Sequence, residues 1–186
     1  LLLTCMLRHS ESPGETLISV LRPIPKNRKK SLNDSSNYRS IAISSVLLKV
    51  LDNIVLAKHL HVLSTSDLQF GFKSGHSTTQ CTFVLNEVVD YYQQNGSSVF
   101  VTLLDASKAF DRVQYVHLFK LLSKRGLCPL LVRLLAKMYP TQSLVVQWQG
   151  CTSRSFCCRN GIKQGAVRSP VLFCIYMDTL LSRLAK

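Results

Sequence analysis

Three stretches of this chain combine residue types and spacings that suit chemistry on a phosphate-bearing ligand. The first is VFVTLLDASKAFDRV, in which Asp105 closes the apolar run from Val99 to Leu104 and is followed by Phe110 and Asp111. A near-continuous apolar run of this length predicts a strand buried on both faces. Its C-terminal edge, where Asp105 stands, is where loops of a layered α/β architecture converge on ligands. The pattern leaves a second role open, because Asp is also a favoured helix N-cap and Phe110 would serve equally as a core aromatic. The second stretch, RPIPKNRKKSLNDSSNYRS, concentrates Lys26, Arg28, Lys29, Lys30 and Arg39. A basic run alone reads as a solvated loop or a localisation signal, whereas upstream of an acidic site it favours phosphate binding. The third, NGIKQGAVRSP, places Gln164 between Gly161 and Gly165.

The elements that must position these residues are written in the periodicity. Residues 1–22 show no clear period, and the two prolines and polar residues of the basic stretch predict an exposed loop. From Ile41 to Leu63 the stripe Ile43, Val46, Leu47, Val50, Leu51, Ile54 and Val55 predicts an amphipathic helix, with Asp52 off the stripe. In LQFGFKSGHSTTQ, Gly71 and Gly75 mimic a phosphate loop, but no Lys follows Gly75 as that motif requires. Ser77 and Gln80 instead form a capping box opening a helix from Thr78 to Gln94, closed by Asn95-Gly96. Further helices are expected over Tyr115–Lys124, ending at Gly126, and from Pro129 to Met138. Ser143 to Gln147 reads as a strand, Gln149-Gly150 as a turn and Ser155 to Cys158 as a return strand. Ser169 and Pro170 suit the cap and first turn of a last helix, Val171 to Ala185.

Composition narrows the function classes. An apolar content of 46% over 186 residues calls for a packed core, and no apolar run reaches the roughly 18 residues that span a bilayer. The 23 Lys and Arg against 10 Asp and Glu give a net charge of +13, which favours a polyanion, nucleic acid above all. Seven cysteines without a Cys-x-x-Cys pair suggest reduced thiols, an intracellular protein of cytoplasm or nucleus and no secretion. Cys151, Cys157 and Cys158 make a poor zinc site, since no His lies at ligand spacing and adjacent cysteines do not fit a tetrahedron.

Four collinear blocks, NYRSIAISSVLLKVL, QFGFKSGHSTT, LLDASKAFDRV and NGIKQGAVRSPVLFCIYMD, resemble the reverse transcriptase domain of non-LTR, LINE-type retrotransposons from about Pro23 to Leu181. The resemblance implies an α+β polymerase right hand. Residues 23–186 would supply fingers and the first part of the palm, helix-rich with an incomplete antiparallel palm sheet, after an unassigned segment 1–22. It implies that Asp105 is a catalytic, metal-binding aspartate, serving phosphoryl transfer by two Mg²⁺ ions, hard cations that take carboxylate oxygens. Phe110 matches the ring that crowds a ribose 2′-hydroxyl, and Gln164 the residue lying against incoming nucleotide and template. Arg39 and Lys26 match contacts to the triphosphate of a deoxynucleoside triphosphate. RNA template and DNA primer are the implied partners, gripped largely through their backbones; no membrane partner is implied.

Two departures from the family pattern bear on activity. The Ala-Asp-Asp block, which carries the family's other catalytic acids, does not occur, and no two of Asp34, Asp52, Asp67, Asp90, Asp105, Asp111 and Asp178 are adjacent. Arg168 stands at a usually apolar position, where an unpaired buried cation costs several kcal/mol, and so reads as decay unless it reaches solvent. The expectation is a retrotransposon reverse transcriptase fragment, RNA-directed DNA polymerase by family, that cannot polymerise by itself. The alternative is a non-catalytic basic nucleic-acid-binding remnant. An unrelated phosphotransferase is disfavoured because Ser107 replaces the second Asp such enzymes carry two residues after the first.

Overall fold

A computed structural model describes residues 1–185. Helix α1 (Leu2–His9) leads into strand β1 (Ile18–Pro25), the 26–37 loop and strand β2 (Tyr38–Ile43). Helices α2 (Val46–Lys58), α3 (Leu60–Leu63), α4 (Thr78–Gln94), α5 (Tyr115–Lys124) and α6 (Pro129–Thr141) follow. Strands β3 (Ser143–Trp148), β4 (Cys151–Thr152) and β5 (Phe156–Cys157) precede helix α7 (Ser169–Leu184).

The sheet is mixed, in the order β2-β1-β3-β4, with β5 also on β3. β1 runs antiparallel to β2 but parallel to β3, so the expected incomplete antiparallel sheet is corrected to a mixed one. Pro23 and Pro25, read as loop markers, lie within β1. They are tolerated because β1 pairs with β3 only over Ile18–Leu21, and the proline nitrogens fall beyond the end of that ladder. Residues 1–22 are integral to the same unit: Met6 is buried in the core and Ile18–Leu21 joins the sheet.

The core is helical. Leu118 and Leu122 of α5, Leu134, Leu135 and Met138 of α6, Ile175 of α7 and Leu51 of α2 lie at the centre of one apolar cluster. Each such side chain contributes about 1.5–3 kcal/mol through removal from water. The Ile41–Leu63 helix is corrected at its start, where Ile41 and Ile43 belong to β2. The buried face of α2 is Leu48, Leu51, Asp52 and Val55, rotated from the expected stripe so that Asp52 points inward. The capping box of α4 is formed as expected, with Gln80 N–H donating to Ser77 Oγ at 3.1 Å and Ser77 N–H to Gln80 Oε1 at 2.9 Å.

Candidate functional site

The segment carrying Asp105 differs from expectation. Residues 97–106 form no strand, and Phe100, Leu103 and Leu104 are 94%, 87% and 80% exposed, with Asp105 exposed as well. A two-faced strand exists only where neighbouring strands take up its backbone N–H and C=O groups and elements cover both faces. None of the five described strands lies beside this run. No residue of α4 is buried either, so the helix and the run after it expose Phe83, Tyr91 and Phe100 to water.

Order returns after Lys108, whose φ of 52° turns the chain into a single 3-10 turn, Ala109–Arg112. Phe110 on this turn is half-buried and stacks on Phe173 of α7, with ring centroids 4.6 Å apart and planes 12° from parallel. Phe72 meets Phe110 edge-on, with ring centroids 5.9 Å apart. Phe110 thus packs against the core while staying only partly buried. The 64–76 loop that carries Phe72 is tied down at Asp178 of α7, whose carboxylate accepts from Ser66 N–H at 2.9 Å and from Arg125, which follows α5.

The Gln164 loop is joined to this turn and to the sheet. Gly161 N–H donates to Val113 O at 2.8 Å and Ile162 N–H to Phe110 O at 2.9 Å. On the other side, Ala42 N–H of β2 donates to Gln164 O at 2.7 Å. Gly161 (φ +90°) and Gly165 (φ +102°) are required here. A Cβ on the first would sit 2.9 Å from Asp111 Cα, and on the second 2.9 Å from Ala42 O. The loop therefore closes the free edge of β2, the strand that carries Arg39. The Arg39 side chain is exposed and makes no hydrogen bond or ion pair among the described residues. Phe110, Gln164 and the Arg39 strand are brought together through this loop, while Asp105 lies on the exposed segment that precedes the Phe110 turn.

Lys26 serves its own loop, its Nζ donating to Ser36 O at 2.8 Å, and buried Asn37 donates to Asn27 O and Ser31 O. The 26–37 loop is thereby folded into a defined basic lobe, leaving Arg28, Lys29 and Lys30 exposed. Asp34 accepts from Ser36 Oγ and Ser36 N–H, which hold its carboxyl below the usual range.

Arg168 corrects another expectation. It neither reaches solvent nor lies unpaired: its Nη1 is 2.9 Å from Asp52 Oδ1 of α2, both side chains are 5% exposed, and its guanidinium lies 5.5 Å from the Tyr139 ring centroid. The ion pair is close, but no N–H points along it, so neither atom has an aligned hydrogen bond. Burial raises the Asp52 pKa, against the opposing pull of Arg168. Burial also opposes charge on Arg168, yet Tyr139 and Asp52 together raise its pKa, and it stays protonated. Lys163 completes the cluster. Its Nζ donates to the wholly buried Ser19 Oγ at 2.6 Å, and burial, then Arg168, lower its pKa to about 8. A cavity of about 20 Å³, near the size of one water, is lined by Ser44, Asp52, Tyr139, Lys163, Arg168 and Ser169. Ser169 is the first residue of α7 rather than its cap. The cluster was legible only in part: a lone acid spaced among Leu48, Leu51 and Val55 is the one signal that a buried partner was needed.

The family model for reverse transcriptase (RNA-dependent DNA polymerase) matches residues 24–186, and the chain belongs to that family. A Pol polyprotein of the type-1 retrotransposable element R2 from Popillia japonica is 28% identical over 178 residues, covering 95% of this chain and 24% of that protein. The Pol polyprotein of the type-2 element R2DM from Drosophila melanogaster is 26% identical, covering 80% of this chain and 14% of its own length. The RNA-directed DNA polymerase from mobile element jockey of Drosophila funebris is 28% identical, with 88% and 18% covered. These are proteins of retrotransposable elements, in agreement with the resemblance carried by the four blocks. The chain spans less than a quarter of the length of these curated relatives.

The family's divalent metal chemistry can be tested against the residues present. Among the described residues no three His, Cys, Asp or Glu side chains lie close enough to hold a metal ion, and Asp105 projects from an exposed segment. Magnesium keeps its water unless several anionic oxygens replace it in octahedral geometry. These residues do not fit a pair of such ions. No helix among the described residues is long and apolar enough to cross a membrane.

Proposed function

We propose that this chain forms the nucleotide-facing part of a retrotransposon reverse transcriptase that copies RNA template into DNA from a primer. The observation that carries the reading is the Gln164 loop, hydrogen-bonded at one end to the Phe110 turn and at the other to β2. Arg39 and Lys26 meet the triphosphate; Arg39 does so with a guanidinium that has no competing partner among the described residues, Lys26 with the N–H groups its bond to Ser36 leaves over. The accessible part of the Phe110 ring faces the sugar and disfavours a 2′-hydroxyl. Gln164 lies against the base, and Arg28, Lys29 and Lys30 hold the nucleic-acid backbone. Asp105 supplies one carboxylate to the catalytic centre and needs companions to do so. Residues 23–186 act as fingers and first palm segment.

The test is photo-cross-linking of 5-iodo-deoxyuridine triphosphate in the presence of an RNA template and DNA primer. Cross-links on peptides that contain Phe110 or Gln164, competed by dTTP more strongly than by UTP and lost in Gln164→Ala, are the expected result. Labelling confined to the 26–37 lobe would favour the second reading, a basic nucleic-acid-binding module without a nucleotide site. The exposed, companionless position of Asp105 is the observation on that side.

A further inference from the structure

We propose that Asp52 and Arg168 are a positioning pair, which fixes the Gln164 loop against β2 by anchoring its C-terminal end to helix α2. Neither residue touches the nucleotide in the reading above; both act through the loop, and the proposal rests on that reading only for its functional consequence.

The argument begins with cost. A guanidinium and a carboxylate removed from water lose several kcal/mol of solvation each, and their attraction repays this only when the geometry is good. Here the geometry is close but misaligned, so the pair is a poor source of stability compared with two apolar side chains of the same size. What the pair does have is placement. Arg168 is four residues beyond Gln164 and immediately precedes α7, at the point where the loop must stop turning and the helix begins. Asp52 is on the inward face of α2, whose N-cap Ser45 follows β2 by two residues. The pair therefore ties the end of the loop to α2, the helix that directly follows β2, and the Ala42 N–H to Gln164 O bond ties the middle of the loop to β2 itself. Lys163, donating to Ser19 Oγ of β1, ties the residue before Gln164 to the next strand of the sheet. The loop is flanked on both sides of Gln164 by cations, Lys163 half-buried and Arg168 buried, whose partners belong to the elements it must face. An apolar contact slides at little cost, whereas the attraction of an ion pair shielded from bulk water falls steeply as its partners separate.

The experiment is site-resolved amide hydrogen exchange on the 186-residue chain, with α5 and α6 amides as the internal reference. Arg168→Met keeps an unbranched, flexible side chain, shorter than arginine, and removes the charge, and Asp52 can then escape its buried charge by taking a proton. The expected result is exchange at least tenfold faster at Ala42 N–H, with Leu118, Leu122 and Leu134 changed less than twofold. Arg168→Lys, which keeps a cation, should restore most of the Ala42 protection. Uniform acceleration across all these amides, or none at Ala42, would overturn the proposal. If Arg168→Met fails to fold, Asp52→Leu with Arg168→Met removes both charges from the core. In that protein fast exchange at Ala42 beside protected α5 supports the pair as a positioning device, and wild-type protection at Ala42 refutes it. Failure of the nucleotide reading is separately visible, as a Gln164→Ala chain whose cross-linking is unchanged while the exchange result stands.

Discussion

Ala42 donates its amide proton to the carbonyl oxygen of Gln164 across 2.7 Å, and this bond closes the free edge of β2 with the loop proposed to face the nucleotide. An open edge would offer unpaired N–H and C=O groups to other chains. Here the same backbone groups fix the distance between the strand of Arg39 and the turn of Phe110. The two glycines that make the approach possible are therefore sharp points of failure.

Gly165→Ala places a methyl group 2.9 Å from a backbone oxygen at φ +102°, and Gly161→Ala places one 2.9 Å from a backbone carbon at φ +90°. Each should destabilise the chain by about 1–3 kcal/mol or more, through the forced left-handed conformation together with the clash. Gly71→Ala meets nothing within 4 Å and has an ordinary φ, so it should change urea stability by less than about 0.5 kcal/mol.

Lys163 gives a pH signature. Its folded pKa is lowered to about 8 from 10.5, chiefly by burial. Between these values the unfolded chain binds more protons than the folded one, so this group makes stability rise as pH increases from about 8 to 10.5. Below pH 8 its half-buried charge is a constant cost, on the order of 3 kcal/mol at most. Buried Tyr115 and Tyr139, whose pKa values are raised by burial, act in the opposite direction at alkaline pH. The readout is therefore the difference between wild type and Lys163→Met, which should shrink as pH rises through this window in denaturant titrations.

The 26–37 lobe and the charge of +13 predict nucleic-acid affinity that falls steeply with salt, by counterion release. Changing Arg28, Lys29 and Lys30 together to Ala should weaken binding to RNA and DNA alike. It should also reduce the slope of log affinity against log salt by about 2–3, when measured by fluorescence anisotropy.

The exposure of Phe100 and Leu104 predicts that Phe100→Glu or Leu104→Lys leaves the thermal midpoint unchanged and lowers self-association. Leu118→Ala, in contrast, should cost about 2–5 kcal/mol by opening a core cavity. Equal destabilisation by all three would mean that the apolar run is packed.

What was legible in the sequence was what local chemistry decides. The α4 capping box, the Gly126 and Gln149-Gly150 turns and the α5 helix depend on residues a few positions apart, and the structure has them where the spacing put them. β1 was hidden because prolines mark loops unless the missing donor falls outside a ladder, and that is known only once the β1–β3 ladder is seen to end at Leu21, while β3 itself runs on to Trp148. The 99–104 run illustrates the reverse: its composition describes the burial such a strand needs, but burial requires elements that are not beside it. Asp52 and Arg168 lie far apart along the chain, and nothing local in either stretch reveals that each answers the other.

Primer extension on an RNA template tests the central claim most directly. Residues 1–186 alone should show none, because one carboxylate cannot hold two Mg²⁺ ions. Joined to the Ala-Asp-Asp block and thumb of a related retrotransposon polymerase, with Asp52 and Arg168 kept together, the chain should extend the primer. Asp105→Ala should then abolish extension while template affinity stays within about twofold, as expected for a lost reaction-specific interaction. Extension that persists in the joined protein without Asp105, or that residues 1–186 perform alone regardless of Asp105, would contradict the account.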